Sequence, residues 1–221
     1  MAHAAHFTAK ITAATLMRRL FGAVLVVLLV WPRAYQAVPA PATVRVLTYN
    51  IHHGEGMDGV FDLSRLAAVM EQAQPDLVAL QEVDLSTQRA SGVNQLAELE
   101  RLTGMYAQFG KAMNFEGGDY GVAVLSRWPL LSAQNQPLPS FPNREPRTAL
   151  TVRVRAGADG PLLQFTSTHL DQGREEDNRL VQAVYLNGIA TGAHLASQQS
   201  VHTVTVMDGV RNTSREPRGP P

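Results

Sequence analysis

The 221-residue chain predicts an α+β domain over residues 43–183, mixed sheets packed on one another with helices outside, and three observations carry that expectation. A strand followed by a crossover helix opens the region; helices cluster early along it and strands late; and no internal repeat marks a regular parallel barrel. Composition agrees, since 45% hydrophobic residues, no cysteine and a formal net charge of zero exclude disordered, collagenous and disulfide-scaffold classes.

The first 42 residues form an N-terminal extension. Leu20 to Trp31 reads LFGAVLVVLLVW behind Arg18 and Arg19, shorter than the roughly 20 apolar residues that span a bilayer. That length suits a signal-peptide core, and Ala40-Pro41-Ala42 offers cleavage before Thr43. Met17 is a natural start for this signal. An uncleaved anchor with Pro32, Pro39 and Pro41 in a short stalk stands as the alternative, so Leu20 to Trp31 is also a candidate membrane tether. Both readings predict export to the periplasm or the exterior.

Within the body, Val44 to Tyr49 alternates as a strand, and Asp62 to Gln74 carries Leu63, Leu66, Ala67, Met70 and Ala73 at helical spacing until Pro75 stops it. Leu77 to Leu80 reads as a buried strand, and Asn94 to Thr103 as a helix ended by Gly104. Strands follow at Met105 to Lys111, Gly121 to Ser126, Ala149 to Arg155 and Leu162 to Ser167. Turns fall at Gly117-Gly118 and at Gly157 to Pro161.

Three apolar runs stop at an unusual polar residue: VRVLTYN at Asn50, LVALQE at Glu82 and LLQFTSTH at His169. Strand ends at one rim of a sheet are where distant residues converge, so an amide, a carboxylate and an imidazole there point to a site. Taken singly, Glu82 reads as a solvated terminus or as a hard oxygen ligand for Mg²⁺ or Ca²⁺. His169 reads as a capping or a functional histidine, and Asn50 as a turn or a site residue. Arg147 is a bidentate phosphate donor or a salt-bridge partner. His52, His53 and Gly54 read as loop, and Tyr120 as a packing residue.

In order along the chain, LTYNIHHGEGMDGVFDLSRLA (47–67), PDLVALQEVD (75–84), YGVAVLSRWPL (120–130), EPRTAL (145–150), STHLD (167–171) and REEDNRLVQA (174–183) resemble the endonuclease/exonuclease/phosphatase superfamily. These are the deoxyribonuclease-I-like phosphoesterases. The resemblance covers Val44 to Ala183 and implies an α/β sandwich of two mixed sheets with outer helices. It further implies a metal-dependent phosphodiester hydrolase in which Glu82 binds Mg²⁺ or Mn²⁺ and Asn50 positions the cation or the phosphate. His169 would lie next to the scissile phosphate, and Arg147 and Asn94, with Arg89 nearby, would touch substrate. A cation would neutralise phosphoryl oxygens while donors meet the pentacoordinate state.

The resemblance stops after Gln182-Ala183. The family's second half carries a GDxN-type strand end and an SDH-type histidine, and neither motif occurs here; Asp208, in VMDG, is a poor counterpart. The expectation is therefore a truncated or frameshifted domain, with a sheet face left uncovered and a divergent, poorly ordered tail over 184–221. A catalytically inactive exported fragment or binding domain of the same fold is the alternative. Residues 43–183 hold twelve basic and seventeen acidic residues, which disfavours bulk nucleic acid as a partner and favours a small phosphoester or a lipid headgroup. No GxSxG elbow supports a serine esterase.

Overall fold

A computed structural model describes residues 43–173, 176–196 and 201–208. Among these residues, eight strands form two four-stranded sheets. In the first, the order is β1 (Val46–Asn50), β2 (Leu77–Leu85), β4 (Gly118–Ser126) and β3 (Tyr106–Phe115); in the second it is β5 (Leu130–Pro137), β6 (Thr148–Arg155), β7 (Leu162–His169) and β8 (Val201–Asp208). Strands β1 and β2 are parallel, as are β7 and β8, and every other pair is antiparallel. Both sheets are therefore mixed, as expected.

Alternation along the strands sorts the apolar residues into layers. Leu77, Ala79, Val122 and Val124 of the first sheet meet Leu150, Val152, Val154, Leu163 and Phe165 of the second in one core. Val78, Leu80, Ala123 and Leu125 face the opposite way, onto α1 (Leu63–Ala73) and α2 (Gln95–Thr103), through Met70, Leu96 and Leu99. Both helices have the ends their sequence encodes. Asp62 accepts from the amides of Ser64 and Arg65 at 2.9 and 3.2 Å, and Asn94 accepts from that of Ala97 at 3.0 Å.

The boundary expected at residue 183 falls inside a helix. Helix α3 runs from Glu176 to Ala196, and β8 then pairs with β7 along its whole length, with Asp208 opposite His169. The uncovered sheet and the poorly ordered tail are thus corrected for residues 184–196 and 201–208. Val204 to Asp208, a poor counterpart of the family's GDxN-type strand end on sequence grounds, supplies the end of β8. Helix α3 was hidden because its buried stripe is partly polar: Asn178 and Gln182 are buried with Leu186, while Leu180, Val181, Val184 and Tyr185 face solvent. Strand β5 was also unforeseen; most of it is exposed, and it is held at the sheet edge by pairing with β6.

Strand β2 carries the feature that shapes the site. Its register against β4 slips between Leu80 and Val83, one extra residue that leaves Glu82 with φ of +57°. Strict alternation would have sent Glu82 onto the helix-covered face with Val78 and Leu80. The bulge gives that place to Val83 and turns Glu82 away. Strand β3 bulges opposite the same stretch of β4, between Lys111 and Met113. Gly121 lies between the two bulges, where a Cβ would stand 2.1 Å from the Gly110 carbonyl oxygen, so a side chain cannot fit.

The expected signal or anchor at Leu20 to Trp31 lies outside the described residues, as do residues 209–221. Among the described residues no helix is long and apolar enough to cross a membrane.

Candidate active site

Asn50 ends β1, His169 ends β7 and Glu82 sits on the β2 bulge rather than at a strand end, which corrects the sequence expectation for that residue. The three meet where the two sheets adjoin. Asn50 Nδ2 donates to Glu82 Oε1 at 2.8 Å, and His169 Nε2 stands 3.4 Å from the same oxygen. Just below, Ser167 Oγ donates across the sandwich to the Leu80 carbonyl at 3.3 Å, which ties the sheets together at this level.

Burial pushes the Glu82 carboxyl up, but His169 and the Asn50 hydrogen bond, with the nearby His52 imidazole, outweigh it and hold the group at about 2. Glu82 is thus an anion across the physiological range. Both contacts fall on Oε1; among the described residues no hydrogen bond or ion pair uses Oε2.

The turn after β1 brings a second pair of groups. His52 and His53 both have left-handed backbones, φ +47° and +44°, followed by Gly54 at +89°. The His52 amide donates to Asn50 Oδ1 at 3.0 Å, and the His53 carbonyl accepts from Gln95 Nε2. This fold of the turn places one ligand atom each of His52, His53 and Glu82 within 4.8 Å of one another. A carboxylate suits Mg²⁺ or Mn²⁺, while paired imidazoles suit a transition ion, so the donor set fits a divalent cation.

A cavity of about 160 Å³ opens beside these groups, lined among others by Glu82, His52, His53, Arg89, Phe115 and Tyr120. Burial, then the charge of Glu145, pushes the Tyr120 phenol well above its ordinary range, so it remains a neutral hydroxyl. Arg147 is only 3% exposed; its Nη1 meets Glu145 Oε1 at 2.8 Å and the Tyr120 hydroxyl at 3.5 Å. It therefore stands behind Tyr120 in the salt-bridged state, the second of the two sequence readings, and not open to a phosphate as its substrate-binding reading required.

Asn94 is not brought to the site. Its side chain caps α2, and it lines a separate depression with Asn114 and Asp119. Conversely, the sequence reading left His52 and His53 as loop and Tyr120 as packing. The missing signal is one of register: Gly121, next to Tyr120, pairs with Val83, next to Glu82. Asp208, as the register partner of His169, has its backbone at the same rim.

A two-sheet sandwich with an amide, a carboxylate and an imidazole converging at one rim defines the class as a deoxyribonuclease-I-like fold. A family model described as the Endonuclease/Exonuclease/phosphatase family matches residues 47–201, and the chain belongs to that family. Its members are hydrolases of phosphoester bonds and are generally dependent on a divalent metal. Among solved structures, the chain is similar to an endonuclease/exonuclease/phosphatase from Beutenbergia cavernae, at 26% identity and a TM-score of 0.54, over 65% of this chain and 43% of that one. Two proteins of Bacteroides thetaiotaomicron share the fold at 16% identity. One is a family protein with a TM-score of 0.61, over 76% of this chain and 64% of that one. The other is a mannosyl-6-phosphatase at 0.59, over 74% and 64%. The chain thus spans between 43 and 64% of the length of these three.

Proposed function

We propose that the protein is a divalent-metal-dependent phosphoesterase whose substrate is a small phosphodiester or a lipid headgroup rather than bulk nucleic acid. The observation that carries this reading is the convergence of Asn50 and His169 on one carboxylate oxygen of the bulged Glu82, with ligand atoms of His52 and His53 within 4.8 Å of that carboxylate. Glu82, with His52 and His53, would hold Mg²⁺ or Mn²⁺. When bound, such an ion supplies positive charge against phosphoryl oxygens and an acidified water.

The chain's own residues supply the rest. Asn50 holds Glu82 in place through Nδ2. His169, at the end of β7, stands within reach of a proton on a group attached near Glu82. The neutral Tyr120 hydroxyl is a donor for a phosphoryl oxygen, and Arg147 behind it, paired with Glu145, fixes its position. Acidic composition of the body and the apolar segment Leu20 to Trp31 support an exported enzyme, secreted or tethered, that acts on small or membrane-borne phosphoesters.

The test is calorimetry with Mg²⁺ and Mn²⁺ on the chain and on Glu82→Gln and Glu98→Gln. Glu98 lies on α2, paired with Arg101 at 2.6 Å. Cation binding that disappears in Glu82→Gln and survives in Glu98→Gln is expected. Equal affinity in the two variants removes Glu82 as a ligand, and with it this reading.

A further inference from the structure

One wall of the cavity is built in a way that the Asn50, Glu82 and His169 arrangement does not require. Arg89 lines it from the loop after β2, and its guanidinium is fixed from several directions. Nε and Nη2 donate to the two carboxylate oxygens of Asp84 at 2.6 and 2.9 Å, and Thr87 Oγ1 donates to that carboxylate at 2.6 Å. Asp84 is fully buried. The guanidinium carbon lies 4.5 Å from the ring centre of Phe115 and 5.5 Å from that of Tyr120, and the Arg89 amide donates to Glu116 Oε2 at 2.8 Å. None of these bonds uses Nη1, which keeps two N–H groups to offer.

Burying a carboxylate beneath an arginine adds little stability, because desolvation offsets most of the attraction. It does fix the guanidinium, so that the entropy of ordering a long side chain is lost on folding and not on binding. The same pairing sets what Arg89 can recognise. Asp84 neutralises its charge, as Glu145 neutralises that of Arg147. A second phosphoryl group would therefore meet no unpaired arginine along this wall. The guanidinium also already lies over Phe115 and Tyr120, where a nucleobase would stack. What remains is a fixed, locally neutralised donor beside the phosphoryl position, suited to an uncharged oxygen.

We propose that Arg89 reads the alcohol half of the substrate, Nη1 donating to a hydroxyl or ether oxygen of a sugar or polyol esterified to the phosphate at Glu82. This rests on the phosphoesterase reading above, and the test separates the two. Dimethyl phosphate and glycerophosphoinositol, both singly charged diesters, are titrated into the full chain with Mg²⁺. The polyol diester binds about tenfold more tightly, the scale of one well-made hydrogen bond. Arg89→Lys removes that preference, and Asp84→Asn, which keeps the arginine but loosens it, reduces it. In the unaltered chain, whose folding no substitution disturbs, the Arg89 guanidinium resonances shift with glycerophosphoinositol and not with dimethyl phosphate. Glu82-dependent binding of both diesters with equal affinity, or a preference that survives in folded Arg89→Lys, overturns the role of Arg89 alone. Binding of neither diester overturns this role together with the phosphoesterase reading.

Discussion

The two sheets are covered by helices of opposite character. Helices α1 and α2 seal the first sheet with an apolar layer in which Met70 and Leu99 are almost wholly buried. Helix α3 meets the second half of the fold through Leu186 and two buried amides. Gln182 accepts from the Asp171 amide at 3.0 Å and donates to the Pro139 carbonyl at 3.1 Å. Asn178 donates to Asp171 Oδ2 at 2.9 Å and accepts from the Phe141 amide at 3.1 Å. The first cover works by removing hydrocarbon from water, the second by satisfying the backbone of two loops. A non-directional layer tolerates change in shape, whereas a directional one fixes the loop that follows His169.

The sharpest test of this contrast is in the apolar cover, where Leu99→Ala should lower stability by about 2–5 kcal/mol through lost burial and the cavity left behind. Chemical denaturation measures it. A smaller loss, about 1–3 kcal/mol, is expected for Gln182→Ala, which strands the Asp171 amide and the Pro139 carbonyl without partners. Gln182→Leu should recover none of it, and a full recovery would show that α3 is held by apolar burial after all. Asn94→Ala removes one helix cap for about 1 kcal/mol and should leave cation affinity unchanged, in keeping with its place away from the site.

The last effect is the smallest, because Glu82 is partly open to water and its interactions are screened. Its carboxyl is held at about 2 in the folded chain, below the ordinary 4.5, so the native state binds fewer protons than the unfolded one. The resulting stability is complete above the ordinary value and is lost as the pH falls from there towards 2. Glu82→Gln should flatten that part of the stability curve and leave the neutral range sloping as before.

The difference in covers also explains what the sequence made legible. Helices α1 and α2 were visible because their buried stripes are apolar and their ends carry Asp62, Pro75, Asn94 and Gly104. Helix α3 was not, since hydrophobic periodicity selects Leu180, Val181, Val184 and Tyr185, the residues that stay outside. The inner strand β2 announced itself by the continuous apolar run Leu77 to Leu80, but an edge strand such as β5 has no burial to report. Asn50, Glu82 and His169 could be singled out because each interrupts such a run. Their partners could not: His52 and His53 reach the site through backbone conformation, and Tyr120 and Arg89 through register and a buried carboxylate. Arg147 was recognised as a functional type, yet its pairing with Glu145 depends on packing.

Two adjacent histidines in left-handed conformation make the turn after β1 a place where fitness and foldability diverge. Each such residue costs about 1 kcal/mol or more that glycine would not. A library of variants sorted only for thermal resistance should therefore accumulate glycine or asparagine at His52 and His53, eroding the pocket while the sandwich hardens. Conversely, a lineage that keeps both histidines reveals by that retention alone a selective pressure acting on chemistry and not on the scaffold.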